Sequence, residues 1–534
     1  MPPTASRSDT DDGAGLSPAS RAAPDLARST RVFRWARRTT FLIHRWLGVV
    51  LALLMALWAV SGFVMMYVSY PETQAEERVA GLEPLDLSAC CAPGVIPDWP
   101  IEGASVEMLL GRPVLRVMTA EGPLVLDLGG GSPPKVGEAE AGEIAQTHMR
   151  NAFGSAPEPR VAPIEVDQWT LQQQRYAPLY KASFADARGT QLYVSGLTGE
   201  VVQDTHRRER FWNWLGAVPH WLYFTALRVN GPLWSQVVIY TSLLGVFLTV
   251  TGIYVGVVMY GRGKKRWSPF RGVALWHHWM GLVFGVLTLT WVASGLFSMN
   301  PWGWFESQGP TEEIPNLAGR PLEGADAAAL VAALADSSRR GIVQAEVSVQ
   351  AGTAYAILIR ADGTRSRGAL PGLAPAPASE AELAAKARAA KPTTEIARSG
   401  MIAEPDAYHY SHHDTAVLPA WRVIYANEDA TRLYFDPRTG ELVRFVDAQS
   451  RAFRWWHLGL HRLDFPVLRS RPLWDLVTVP LLIGVSLLCV LGVWMGLRRL
   501  RRPVGPIRRG AKNRRGSGSE DTSTSDHANS RFNE

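Results

Sequence analysis

Two stretches with nearly the same pattern decide the fold. The first, "IHRWLGVVLALLMALWAVSG", covers residues 43–62, and the second, "WHHWMGLVFGVLTLTWVASG", covers residues 276–295. Each is long and apolar enough to cross about 30 Å of hydrocarbon as a helix. Each also has a histidine in its first turn, His44 and His277. Because ionisable residues in apolar spans are costly, histidines in matching places indicate a function.

The hydrophobic content of 47% and the 20 tryptophans in 534 residues favour membrane spans mixed with polar domains. Long runs with almost no charged residue cover residues 41–70, 233–261, 273–305 and 476–497. Each run has the length of a transmembrane helix. The sequence therefore predicts an integral membrane protein with four transmembrane α-helices and a lipid bilayer as its surroundings.

Basic residues flank the predicted spans on one side. "RVFRWARR" precedes the first, "GRGKKRW" follows the second, and "LRRLRRPVGPIRRGAKNRR" follows the fourth. Positive flanks mark the cytoplasmic side, so both termini are expected in the cytoplasm. These flanks account for the net charge of +6, and no nucleic-acid partner is expected.

The chain contains an internal duplication, which indicates two tandem halves. At an offset of 233, seven residues of the first span recur in the third, including the histidine, a Gly one turn later and a Ser-Gly pair. At an offset of 241, "PLYKASFADARGTQLYVSGLTGE" from Pro178 matches "PAWRVIYANEDATRLYFDPRTGE" from Pro419. The same offset places His220 on His461. A pseudo-two-fold axis along the membrane normal is the expected relation between such halves.

Each half is expected to hold an exported α+β domain. Alternating patterns such as "QLYVSG" and "RLYFDP" predict antiparallel strands that close on a T-G-E turn, and residues 325–335 or 380–390 predict a helix. The N-terminal 30 residues and those beyond about residue 508 are expected to be disordered. The predicted division is a cytoplasmic basic tail (1–40), a first span (41–70), a periplasmic domain (71–210), an interfacial segment with a second span (211–261), a cytoplasmic loop (262–272), a third span (273–299), a second periplasmic domain (300–452), an interfacial segment with a fourth span (453–497) and a basic tail (498–534).

The repeat pairs four histidines into two equivalent sets: His44 with His277 near the cytoplasmic face, and His220 with His461 near the periplasmic ends of the second and fourth spans. Two neutral imidazoles from facing helices are the axial ligands of a six-coordinate b-type haem. No C-x-x-C-H motif for covalent attachment is present. The sequence therefore predicts two b-type haems held by coordination. The alternatives are close helix packing at the glycines and interfacial anchoring by the histidines.

Several residues are weaker candidates for the same cofactors. His278 and His457 lie beside the predicted ligands but have no histidine at the matching place in the other half. Met66 and Met299, at the far ends of their spans, are candidates for contact with the periplasmic haem, although simple helix packing explains them better. Arg45 is a candidate partner for haem propionates, although snorkelling to the interface explains it equally well.

The stretch "DAYHYSHHD" contains His409, His412 and His413, which together offer nitrogen ligands for a transition metal. Its counterpart in the first half lacks histidine, so an ordinary polar strand and turn is the competing interpretation. Of the three cysteines, Cys90 and Cys91 are adjacent, and adjacent cysteines are expected to be poor disulfide partners.

Over about residues 35–500 the chain resembles the PepSY-associated transmembrane family. The residues that carry the resemblance are "HRWLG" and "HHWMG" with their "SG" pairs, "SGLFSMNPWGW", "WNWLGAVPHWLYF", "LHRLDF" and the two T-G-E strands. The family includes bacterial inner-membrane ferric-siderophore reductases with four spans and haem. The resemblance implies PepSY-like periplasmic domains and haem ligation by His44, His220, His277 and His461.

Together these features predict a di-haem b electron-transfer protein that reduces a periplasmic ferric siderophore or other ferric chelate, as a ferric-chelate reductase does. No G-x-G-x-x-G opening a βαβ unit is present, so no flavin or NAD site is expected. Electrons must then come from an external quinol or a separate reductase. The alternative is a haem-free membrane-anchored PepSY protein that binds or regulates a peptidase or a peptide.

Overall fold

Four long helices dominate the structure, a computed structural model. It describes residues 19–88, 90–91, 96, 99–262, 267–335, 341–411 and 416–501, with side chains from residue 34 onward. The four helices are long and apolar enough to span a membrane, as expected of a membrane protein. They are named TM1 (Ala19–Met65), TM2 (Gly231–Met259), TM3 (Val273–Ser298) and TM4 (Leu473–Leu500).

The helix ends follow local signals. TM1 begins at Ala19, so its helix extends into the N-terminal residues that were expected to be disordered, and its apolar part covers Arg34–Met65. Asn230 caps TM2 by accepting a hydrogen bond from the Leu233 N–H, with a proline in the first turn. The predicted disorder beyond residue 508 lies outside the described residues.

The four helices form a bundle in which TM1 and TM3 each pack against both TM2 and TM4. This arrangement is consistent with a two-fold relation between the halves, which would exchange TM1 with TM3 and TM2 with TM4. Val50, Val283 and Leu476 are exposed on the outer faces, where lipid would cover them. The buried core of the bundle consists of Leu51, Met55, Ala56, Ala59, Leu248, Val485 and Cys489.

Strands fill the two segments that connect TM1 to TM2 and TM3 to TM4. Within the described residues they form four antiparallel sheets. The strands are β1 (Pro100–Ile101), β2 (Gly103–Leu109), β3 (Arg112–Thr119), β4 (Gly122–Asp127), β5 (Arg160–Ile164), β6 (Leu179–Ser183), β7 (Gln191–Ser195), β8 (Val201–Thr205), β9 (Leu322–Glu323), β10 (Ile342–Gln350), β11 (Thr353–Arg360), β12 (Arg365–Ala369), β13 (Ala374–Pro375), β14 (Ile396–Ile402), β15 (Ala420–Tyr425), β16 (Arg432–Phe435) and β17 (Leu442–Val446).

The two halves share one seven-stranded sheet, with the order β13-β12-β11-β10-β2-β3-β4. The junction is the antiparallel pair β10 and β2, where Ala345 faces Val106 and Glu346 faces Ser105. Helix Gly324–Ala335 packs on this sheet, and buried residues of both halves form its core. The prediction of one sheet domain per half is therefore incomplete, because part of each half completes the sheet of the other.

Each half also has its own four-stranded sheet. The orders are β5-β6-β7-β8 and β14-β15-β16-β17, and both close on the predicted T-G-E turn. Helix Glu138–Phe153 packs on the first sheet and Glu380–Ala390 on the second. Short helices complete the chain: Ala75–Ala80, Gln174–Tyr176, Arg207–Leu215, Ala217–His220, Thr225–Arg228, Pro301–Gly303, Glu313–Ala318, Ala448–Phe453, Arg454–Gly459, Leu460–Arg462 and Pro466–Leu468.

Cys90 and Cys91 are joined as a disulfide in the structure. The expectation that adjacent cysteines pair poorly is wrong for this pair. Both side chains lie against the core of the seven-stranded sheet, and Cys489 is a buried free thiol in the bundle.

Candidate cofactor site

The structure brings His220 and His461 together at the end of the bundle next to the sheets, and we call them the sheet-side pair. His220 ends the short helix Ala217–His220, and His461 lies in Leu460–Arg462. A π-helical turn, Arg454–Gly459, precedes His461. The two ring centres are 6.1 Å apart and the ring planes are inclined at 66°. The predicted pairing across the two halves is therefore present in the fold.

Each ring of the sheet-side pair is fixed through its Nδ1 atom by the membrane helix of its own half. The contacts are His220 Nδ1 to Trp58 O (3.1 Å) and Ser61 Oγ (3.0 Å), and His461 Nδ1 to Trp291 O (3.1 Å) and Ser294 Oγ (3.2 Å). An Nδ1–H that donates to a carbonyl leaves Nε2 as the basic nitrogen. Metal-binding histidines are commonly oriented in this way.

Burial keeps both imidazoles of this pair neutral. Burial first, and then the charge of His461, lower the pKa of His220 to about 3. Burial also lowers the pKa of His461 to about 4, although its hydrogen bond to Trp291 acts in the opposite direction. At neutral pH both rings are therefore in the form that binds a metal.

His44 and His277 lie at the other end of the bundle, next to the short loop between TM2 and TM3, and we call them the loop-side pair. His44 Nδ1 contacts the Leu248 carbonyl at 3.2 Å, and His277 lies against the carbonyl of Leu488, the residue equivalent to Leu248. No hydrogen bond of good geometry reaches the buried His277 Nδ1 within the described part of the chain. Within the described residues, the rings of His44 and His277 make no contact like the one between the rings of His220 and His461.

Glycines on TM2 and TM4 make room for the loop-side rings. A Cβ atom at Gly252 would lie 2.7 Å from His44 Cε1, and one at Gly492 would lie 3.6 Å from His277 Cε1. The two glycines occupy equivalent positions in the halves. By comparison, a Cβ at Gly48 would meet only Leu248, at an ordinary contact distance of 3.8 Å. The glycines that matter most for His44 and His277 therefore lie on the neighbouring helices.

Two of the weaker candidates near the loop have other contacts. His278 is buried with both ring nitrogens engaged, Nδ1 with Ser268 Oγ and Nε2 with the Gly256 carbonyl, each at 2.8 Å. The geometry therefore favours His277 over His278 as a ligand. Arg45 is exposed and its guanidinium lies over the Trp46 ring, 5.8 Å from its centre.

The weaker candidates near the sheets remain predictions. His457 Nδ1 contacts the Ser294 carbonyl at 3.0 Å, and its ring stacks on His461 with centres 5.3 Å apart. Met66 and Met299 immediately follow TM1 and TM3, at the same end of the bundle.

The proposed metal cluster of the second sheet segment is only partly described. His409 is buried, contacts the Val417 carbonyl through Nε2 at 2.8 Å, and stacks on Tyr434. His412 and His413 lie outside the described residues. Among the residues that are described, no group of three or more His, Cys, Asp or Glu side chains has metal-binding geometry.

The sheet-side pair fits the axial ligation of one iron. Two imidazole nitrogens that bind one metal ion at about 2 Å each are about 4 Å apart, and their ring centres are somewhat farther apart. The observed 6.1 Å between ring centres agrees with this requirement. Trp58 and Trp291, whose backbone carbonyls contact the pair, have buried indole N–H groups with no acceptor among the described residues, and their rings pack against the core of the bundle.

Sequence reasoning identified the four histidines but assigned no role to the groups that hold them. Ser61 and Ser294 were visible as a repeated Ser-Gly pair, and only the fold shows that their hydroxyls reach the imidazoles. No protein-family model matches the chain, and no curated protein matches its sequence. Its function is therefore inferred from the geometry of the two histidine pairs.

Proposed function

We propose that the chain is a transmembrane electron carrier with two b-type haems. His220 and His461 would hold one haem, and His44 and His277 the other. The observation that carries the proposal is the geometry of the sheet-side pair. The centres of its two neutral imidazole rings, which come from equivalent positions of the halves, are 6.1 Å apart, and a carbonyl and a hydroxyl contact each Nδ1. When bound, haem supplies a one-electron couple whose potential depends on its axial ligands and burial.

The protein's own residues hold the two sites at opposite ends of one bundle. Ser61, which contacts His220, follows His44 by about five helical turns, or about 25 Å along TM1. Basic flanks support a cytoplasmic position for the loop-side pair and a periplasmic position for the sheets, in a bacterial inner membrane. The carrier would thus connect a quinol or reductase donor to a periplasmic acceptor.

A ferric siderophore or other ferric chelate is the proposed acceptor. The resemblance to the PepSY-associated transmembrane family, which includes ferric-siderophore reductases, supports this choice. Reduction of the chelate requires one electron and no protein nucleophile, which is compatible with a site made of neutral imidazoles and backbone contacts.

The absorption spectrum of the full-length protein in detergent tests the proposal. We expect a b-type spectrum with two haems per chain, and reoxidation of the dithionite-reduced protein by a ferric siderophore. A protein that remains colourless after expression with sufficient haem contradicts the proposal and favours the haem-free peptidase- or peptide-binding alternative. Haem that is present but not reoxidised by any ferric chelate would leave an electron carrier with a different acceptor.

A further inference from the structure

A cavity of about 550 Å³ opens beside the sheet-side pair, within the size range of small-molecule sites. It lies between the end of TM3, strand β17 and the segment that carries His457 and His461. Its lining includes Arg444, Arg454, Arg462, Tyr408, Tyr410 and Phe453.

The cavity has a positive lining. Three arginines contribute to it, and none of its described lining residues is an Asp or Glu. Arg444 and Arg462 have no carboxylate within ion-pair distance in the part of the chain that the structure describes. Arg454 is paired with Asp464 at 3.3 Å, but its buried Nη1 atom has no hydrogen-bond partner among the residues that the structure describes. The guanidinium groups therefore favour an anionic occupant with planar acceptor groups such as carboxylates.

A row of rings connects the cavity to the sheet-side pair. His457 stacks on His461 with centres 5.3 Å apart, and Phe453 lies 5.1 Å from His457. Phe453 also lines the cavity. An occupant would therefore lie within a few ring contacts of the site that we propose for one haem.

The duplication gives an internal comparison for the cavity. Arg444, Arg454 and Arg462 have Gln203, Asn213 and Trp221 at the equivalent positions of the first half. The three positive charges therefore belong to the second half only. A role limited to holding the shared histidines would not require this difference.

We propose that this cavity binds an anionic ferric chelate with free carboxylates, of the ferric citrate type. This inference rests on the proposed function, in that the chelate is the electron acceptor of that function. It narrows the acceptor to anionic chelates, because a neutral chelate would leave Arg444 and Arg462 without an ion-pair partner among the described residues.

Calorimetric titration of the oxidised full-length protein in detergent with gallium citrate, a redox-inert analogue, tests the proposal. We expect Arg444→Gln and Arg462→Gln each to weaken binding about tenfold, as the loss of one charge-assisted contact does. Arg398→Gln removes the same charge from exposed β14, outside the cavity, and should leave the dissociation constant within about twofold. The affinity of the wild-type protein for gallium citrate should also fall as the salt concentration increases, because salt screens the attraction between opposite charges.

If gallium citrate binds, four outcomes would still overturn the inference. They are equal affinity in wild type and both cavity variants, equally tight binding of a neutral gallium hydroxamate chelate, equally tight binding of metal-free citrate, and loss of haem in Arg444→Gln or Arg462→Gln. The last result would assign the arginines to haem propionates. Gallium(III) accepts no electron, so binding of its citrate complex does not depend on electron transfer. If a haem-free protein binds gallium citrate, the proposed function is overturned but the cavity assignment is not. A haem-containing protein that binds no gallium citrate would overturn this inference alone.

Discussion

The two halves of the molecule hold their sheet-side histidines in the same way but differ in what surrounds them. In both, Nδ1 meets a tryptophan carbonyl and a serine hydroxyl of the half's own membrane helix. Where the second half has His457, Arg454, Arg462 and Arg444, the first half has Gly216, Asn213, Trp221 and Gln203. The two halves therefore share the contacts that orient His220 and His461. The His457 ring and the three arginines beside this pair are found only in the second half.

Removing the sheet-side pair should have the largest effect. We expect His220→Ala/His461→Ala to lower the haem content from two to one per chain, because both axial nitrogens of that site are lost. A pyridine haemochrome assay on purified protein measures this stoichiometry. The matched variant, His44→Ala/His277→Ala, should lose the other haem instead, and spectra of the two variants should add up to that of the wild type. Two haems retained in either variant would show that the pair is assigned wrongly.

The sheets offer a second contrast between the halves. Glu107 on β2 is fully buried and accepts hydrogen bonds from Arg116 at 2.9 Å and Arg78 at 3.1 Å. On the adjacent β10, Glu346 pairs with Arg365 at 2.9 Å, but both side chains remain about one-third exposed, at 31% and 37%. Burial decides how much each ion pair matters to stability.

We expect Glu107→Gln to lower the free energy of unfolding by about 3 kcal/mol, because it removes the buried carboxylate that compensates the charges of two partly buried arginines. Glu346→Gln, the matched control, should cost about 1 kcal/mol or less, because solvent screens the exposed pair. Denaturant unfolding of the full-length protein, followed by circular dichroism, measures both values. Equal costs would mean that the central strands are not buried as described.

The pH dependence of stability tests the contribution of Glu107 in a second way. Burial acts to raise the pKa of Glu107, but the charges of Arg116 and Arg78 outweigh it and hold the pKa below its ordinary value. The stabilisation is therefore complete above the unfolded pKa of about 4.3 and is lost as the pH falls through the lower folded value. Glu107→Gln should remove this part of the acid sensitivity, whereas the wild type should keep it.

The sequence allowed the four membrane-length helices and the approach of His220 to His461 to be predicted, because hydropathy marks each helix separately and the repeat relates equivalent positions of the two halves. It did not reveal that β2 pairs with β10, since alternation marks a strand but not its partner. The cavity was also missed, because its lining comes from separate segments between Ser298 and Arg462. The π-helical turn that stacks His457 on His461 has no local signal that distinguishes it from an α-helix.

A smaller effect is expected at the hydroxyls that hold the pair. Ser61→Ala and Ser294→Ala each remove one contact to an imidazole Nδ1 but leave the tryptophan carbonyl in place. Loss of such a supporting contact lowers metal affinity by about tenfold. Competition for haem with apomyoglobin measures the change. If the two alanine variants differ strongly from each other, the two halves do not support their histidines equally.

The smallest effect on haem binding is expected for His457→Ala. The His461 ring keeps its own carbonyl and hydroxyl contacts without His457, and the first half holds His220 with only Gly216 at the equivalent place. Haem content should therefore stay at two per chain, while stopped-flow reoxidation by ferric citrate slows a few-fold, because the ring between Phe453 and His461 is gone. Trp456→Ala is the control, since that exposed ring packs on Phe297 instead and should change neither quantity. Loss of one haem in His457→Ala would reassign the partner of His220 from His461 to His457.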